Sequence, residues 1–173
     1  MTGVQTCALP ICIDISIDEN RTSYDHGVWS VLSLIYEKLD IPVIQLSIPL
    51  SYTFLELLNL GEKLKIFKDE ALLIFSGGAT HNLRDMSYGY EIEDYAKEFN
   101  QSIKDIIENG KVEELISIEK DKNFYKNHPT LEHFLPLIIA FGSAFNKKGE
   151  SFNSEILYSN ISMESFIFDK KEA

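Results

Sequence analysis

Apolar positions along this chain recur with two periods, and the switching between them predicts strands alternating with helices. CIDISID (12–18) alternates apolar and polar residues, as a half-exposed strand does. ENRTSYD reads as a loop ending at Asp25, the N-cap of a helix whose apolar face carries Val28, Leu32, Ile35 and Leu39. The nearly continuous IPVIQLSI (41–48) is rich in β-branched residues and reads as a buried strand, with Pro42 tolerated near its start. Residues 53–68 return to helical spacing through Phe54, Leu57, Leu58, Gly61, Leu64 and Ile66, and ALLIF (71–75) returns to strand character. Strand, helix, strand with short connections is a right-handed crossover, which makes a parallel sheet.

The second half is more helical. Ile92, Tyr95, Phe99, Ile103, Ile106 and Ile107 share one face of a helix over 91–109 that stops near Gly110. A shorter helix is predicted over 112–118, and the polar stretch 121–130 reads as a connection broken at Pro129. Residues 131–145 form a strongly apolar helix, and SNISMESFIFD (159–169) has the alternation of a final strand. The fold class is therefore α/β, a mostly parallel central sheet flanked by helices, in one domain without repeats or a linker.

Composition narrows what such a domain does. Sixteen basic against twenty-seven acidic residues leave a net charge of −11, which disfavours a nucleic-acid partner because that affinity depends on Lys and Arg neutralising phosphates. Both cysteines, Cys7 and Cys12, lie near the amino terminus, so no disulfide framework is predicted and a reducing cytoplasm is the expected setting. No apolar run approaches the roughly 20 residues that span a bilayer, so no membrane role is expected. MTGVQTCALPI (1–11) resembles translated sequencing adaptor rather than natural protein and is set aside, leaving 12–173 as the domain. The expectation is that the natural chain began earlier, and that apolar surface lies exposed where the missing part would pack.

Candidate chemistry gathers at four histidines. After the strand 71–75 come Ser76, Gly77 and Gly78, a place where backbone turns sharply, and then His81, Asn82 and Arg84. His26 opens a helix beside Trp29, and His128 and His133 flank PTLE. Each has a bland reading: a loop histidine at a strand end for His81, a helix-start residue on Trp29 for His26, a loop end for His128 and a core residue among Phe134, Leu135 and Pro136 for His133. No H-E-x-x-H, P-loop or G-x-G-x-x-G is present, and Ser76 is not in a G-x-S-x-G elbow.

Taken together, DHGVWSVL (25–32), DIPVIQLSI (40–48), SGGATHNLRD (76–85) and HPTLEHFLPL (128–137) resemble, in order and spacing, the class III extradiol ring-cleaving dioxygenases. The resemblance runs from about Tyr24 to Phe168, and Ser23-Tyr24 and Gly78-Ala79 depart from the family pattern. It implies the carboxy-terminal portion of an enzyme that opens a catechol-type ring with O2 at a non-haem Fe(II) centre, with zinc in some relatives. On that mapping His133 is a metal ligand and His81 a second ligand or the acid/base group. His26 serves catalysis and substrate binding, with Asn82 and His128 as further substrate-pocket residues. The family's two amino-terminal histidine motifs are not found in this sequence, so the chain as given is expected to bind iron poorly and to be inactive. Two other readings are a non-catalytic protein-binding module on the same scaffold and a metal-dependent amide or ester hydrolase.

Overall fold

The computed structural model describes residues 13, 15–89 and 91–169; the leader expected over 1–11 lies outside them. Helix α1 spans His26–Ile35, α2 Phe54–Leu64, α3 Asp94–Asn109, α4 Val112–Ile116, α5 Phe124–Asn127 and α6 Leu135–Ser143. Strands follow as β1 Gly149–Phe152, β2 Ile156–Leu157, β3 Ile161–Ser162 and β4 Ser165–Phe168.

The long helices form where the apolar spacing places them, and their ends have local causes. At α2 the Thr53 hydroxyl accepts from the Glu56 N–H at 3.3 Å, while the Glu56 carboxylate accepts from the Thr53 N–H at 2.7 Å, a reciprocal cap. Helix α3 ends at Gly110, whose φ of 71° is the left-handed stop that glycine adopts without penalty. Helix α6 starts later than the apolar run predicts. Residues 131–134 make a separate turn, with the Phe134 and Leu135 N–H groups both donating to the Leu131 carbonyl, and Pro136 stands at the start of the helix proper.

The core lies between these helices. Phe99, Ile103 and Ile107 of α3 and Ile138 and Phe141 of α6 are wholly buried, together with Leu57, Phe124 and Phe134. Helices α2 and α6 cross at a pair of glycines. A Cβ on Gly61 would strike the Ile139 carbonyl oxygen and lie 2.8 Å from the Gly142 Cα, and one on Gly142 would strike the Leu58 carbonyl oxygen. Backbone touches backbone here, so a methyl group has nowhere to go. Gly61→Ala is expected to lower stability by about 3 kcal/mol, read as the shift of a urea melt; a change within error would mean the helices do not cross at this distance.

The sheet differs from the expected one. Among the described residues the ladders are antiparallel and two-stranded, β1 with β4 and β2 with β3, and no parallel sheet is present. Residues 41–48 and 71–75 carry no strand pairing. The physical reason is visible in their exposure. Leu73 and Phe75 turn toward the core while Leu72, between them, is 71% exposed, and Ile44 is 85% exposed. A parallel ladder is stable when both faces are covered, and among the described residues nothing packs on the face that carries Ile44 and Leu72. Helix α1 shares that condition, with no buried residue and Leu34 89% exposed.

Candidate functional site

Three of the four segments singled out in the sequence meet around Ser76, Gly77 and Gly78, and the fourth, 40–48, reaches them through the start of α1. The Gly78 N–H donates to the His133 carbonyl at 2.8 Å, and a Cβ on Gly77 would strike that same carbonyl oxygen. Only glycine admits the 131–134 turn this closely. On the other side, a Cβ on Gly27 at the start of α1 would lie 3.0 Å from the Ser76 hydroxyl. The start of α1 is held in turn by 41–48, through Tyr24 Oη to the Val43 carbonyl at 3.1 Å and the Asp25 N–H to Gln45 Oε1 at 2.9 Å. Asp25 occupies the N-cap position, but its side chain pairs with Arg21 and Gln45 rather than capping the helix.

His81 and His133 meet ring on ring. Their centroids are 3.8 Å apart and the planes are inclined by 25°. Both are half-buried, and His81 is held below the ordinary histidine range by burial first and by the adjacent His133 second. A neutral imidazole at His81 keeps a lone pair free to accept a proton or bind a cation. His133 lies in the turn ahead of α6, not in its first helical turn, and Glu132 Oε1 stands 3.9 Å from its Nε2.

The other predicted residues have different surroundings. His26 is exposed and packs edge-on against Trp29, with centroids 4.8 Å apart. Asn82 is buried and fully engaged: its Nδ2 donates to the Lys126 carbonyl at 2.7 Å, and its Oδ1 accepts from the Arg84 N–H at 3.1 Å. His128 is 0% exposed, with Nε2 at 2.9 Å from the Ala79 carbonyl. Asn82 and His128 are thus both buried and hydrogen-bonded to main chain, His128 to the residue two before His81. Asn127 and Asn160, which the sequence did not single out, are buried with them: the Asn127 carbonyl accepts from the His81 N–H at 3.1 Å, and Asn160 Nδ2 donates to the Asn82 carbonyl at 2.9 Å. No glycine, proline or charge pattern marks either residue.

The two imidazoles do not make a metal centre by themselves. Among the described residues no group of three or more His, Cys, Asp or Glu is placed to hold a metal ion, and a bound iron or zinc needs at least that many protein donors. A hollow of about 410 Å3 lies between α3 and residues 154–156, remote from the imidazole pair in its lining. No helix among the described residues is long and apolar enough to cross a membrane.

The chain belongs to the family of the catalytic LigB subunit of aromatic ring-opening dioxygenases, whose model matches residues 6–168. It is similar to the 4,5-DOPA dioxygenase extradiol of Escherichia coli K12, 34% identical over 137 residues that cover 76% of this chain and 51% of that one. The proteins of the same description from Portulaca grandiflora and Beta vulgaris are 34% and 35% identical, over 82% and 84% of this chain and 52% and 54% of theirs. The chain therefore spans about half the length of the curated relatives it matches. In structure it is similar to an uncharacterised protein of Escherichia coli K12 solved by crystallography, with a TM-score of 0.76 at 30% identity, over 87% of this chain and 65% of that one.

Proposed function

We propose that the whole protein to which this chain corresponds is an extradiol dioxygenase. It opens a catechol-type ring with O2 at a non-haem Fe(II) centre, in the cytoplasm and without a nucleic-acid or membrane partner. The observation that carries the reading is the stacked His81–His133 pair, set by main-chain contact at a glycine turn within the family match. Its relatives described as 4,5-DOPA dioxygenases give the substrate class, a small aromatic diol.

In this reading His133 is a metal ligand and His81 is either a second ligand or the base that takes a proton from a catechol hydroxyl. A histidine below its ordinary range is neutral at pH 7 and suited to that proton. In the same reading His26, exposed where α1 meets Ser76, serves catalysis and substrate binding. Asn82 and His128 act on the substrate pocket through the main chain they hold. Since the described residues do not supply a full donor set, the chain alone is expected to be inactive.

Oxygen consumption with a panel of catechols, with and without added Fe(II), tests the reading on a family protein extended to the length of its relatives. Iron-dependent uptake abolished by His133→Ala is the expected result. His81→Ala separates two roles: turnover falling far more than iron content marks a base, and both falling together marks a ligand. A folded, iron-loaded protein without uptake would leave the non-catalytic binding module or the metal-dependent hydrolase as the better reading.

A further inference from the structure

The tail 159–169, read from sequence as one final strand, is two, β3 and β4, and β3 forms a hairpin with β2 whose turn buries Ser159 and Asn160. Tyr158 and Ser159 are both left-handed, at φ of 50° and 68°, although neither is glycine, asparagine or aspartate. Two such residues in succession form the kind of tight turn that Asn-Gly ordinarily supplies, and side chains that rarely adopt it persist only where surrounding contacts hold them. Those contacts are on the far side of the His81 loop. The Tyr158 carbonyl accepts from the Ser87 N–H at 3.1 Å, and the Ser159 carbonyl accepts from the Glu93 N–H at 2.9 Å.

The next residue, Asn160, is wholly buried and reaches both neighbours of His81 in the chain. Its backbone carbonyl accepts from the Thr80 hydroxyl at 2.7 Å, and its Nδ2 donates to the Asn82 carbonyl at 2.9 Å. The same Nδ2 donates to Tyr95 Oη at 2.9 Å, and that hydroxyl donates onward to Asp85 at 2.8 Å. Burial pushes the Tyr95 phenol up to about 12, so it remains a protonated link. The Ser162 N–H donates back to the Thr80 hydroxyl at 2.9 Å, and His81 itself forms an isolated antiparallel bridge with Ile161. The hairpin is a backboard for the loop, and Asn160 is the point where both sides of His81 are tied to it.

We infer that Asn160 is a positioning residue that fixes His81, and with it the His81–His133 ring pair, in the site. The inference rests on the reading of His81 as a site residue. The role calls for two N–H donors on one short side chain: a hydroxyl offers one, a carboxylate none, and glutamine is a methylene too long for a closed interior.

The test is made on the full chain by NMR, through the cross-ring NOEs between His81 and His133 and the imidazole shifts of both. Asn160→Asp keeps the shape and removes the donors. It is expected to abolish the cross-ring NOEs while amide signals of α2 and α6 stay dispersed. Unchanged NOEs in that folded variant would overturn the inference. Should Asn160→Asp not fold, Asn160→Ser decides. It removes the Nδ2 donors without adding a charge, and it is expected to weaken the NOEs; intensity at the wild-type level would again overturn the role. The readout needs no metal, catechol or oxygen, so a negative oxygen-uptake result bears on the dioxygenase reading alone.

Discussion

Phe134→Ala is expected to lower stability by about 3–5 kcal/mol, among the largest effects of a single core substitution in this chain. Phe134 is wholly buried and sits at the centre of an aromatic cluster, with ring centroids 4.9 Å from His128, 5.3 Å from Phe124 and 6.2 Å from both Phe54 and Phe99. These partners come from α2, α3, α5 and the connection after α5, so the vacated space cannot be closed by one element relaxing. Its backbone also follows His133 directly, so the variant is expected to blur the ring pair as well. Urea unfolding followed by circular dichroism measures the first effect. A loss under about 1 kcal/mol, the scale of a well-tolerated volume change, would show that the cluster is not packed as described.

Acid should unfold the chain earlier than its carboxylates alone require, because of His128. Burial holds this imidazole down to about 4, opposed first by the hydrogen bond to the Ala79 carbonyl, while the neighbouring His81 and His133 push it lower and Glu132 opposes them. With Nε2–H directed at Ala79, protonation must occur at Nδ1, which is buried and has no partner. The sign follows from the depressed value. Above pH 6.5 both folded and unfolded states hold His128 neutral, and its contribution is complete. As pH falls toward about 4 the unfolded chain takes the proton first, and about 3 kcal/mol is lost across that window. In a protein of this size that corresponds to a melting temperature lower by roughly 6–12 °C. His128→Gln is expected to flatten the dependence of melting temperature on pH between 6.5 and 5, whatever it does to stability at pH 7. An equally steep slope in the variant would assign the effect to other groups.

Helices were legible where a single apolar stripe faces one core, as in α2 and α3, because helix periodicity records local burial. The 131–145 run was legible as apolar but not as turn followed by helix, since Leu131, Phe134 and Leu135 fit both. The strands at 41–48 and 71–75 show the opposite limit. Their β-branched and apolar content states what they would do beside a partner strand, and pairing is a property of two segments. The β2–β3 hairpin left no signal because Tyr158 and Ser159 stand where turn chemistry would put Asn-Gly; its cause is tertiary, in the carbonyls taken up by Ser87 and Glu93. At the candidate site, the motifs around His81 and His133 singled out two residues whose rings do meet. Asn127 and Asn160 were not legible, because a buried asparagine carries no sequence pattern until its partners are known.

The close approach of Gly77 to the His133 carbonyl makes the spacing of the two imidazoles a main-chain dimension. The turn at 76–78 cannot move nearer, being already in contact, and cannot retreat without breaking the Gly78 N–H bond. Substitution at Gly77 therefore acts first on the distance at which two imidazoles are offered, whereas Gly61, at the crossing of α2 and α6, acts first on how long the fold survives. Gauge and durability are separable in this protein, the first resting on one glycine whose missing side chain no other residue type reproduces.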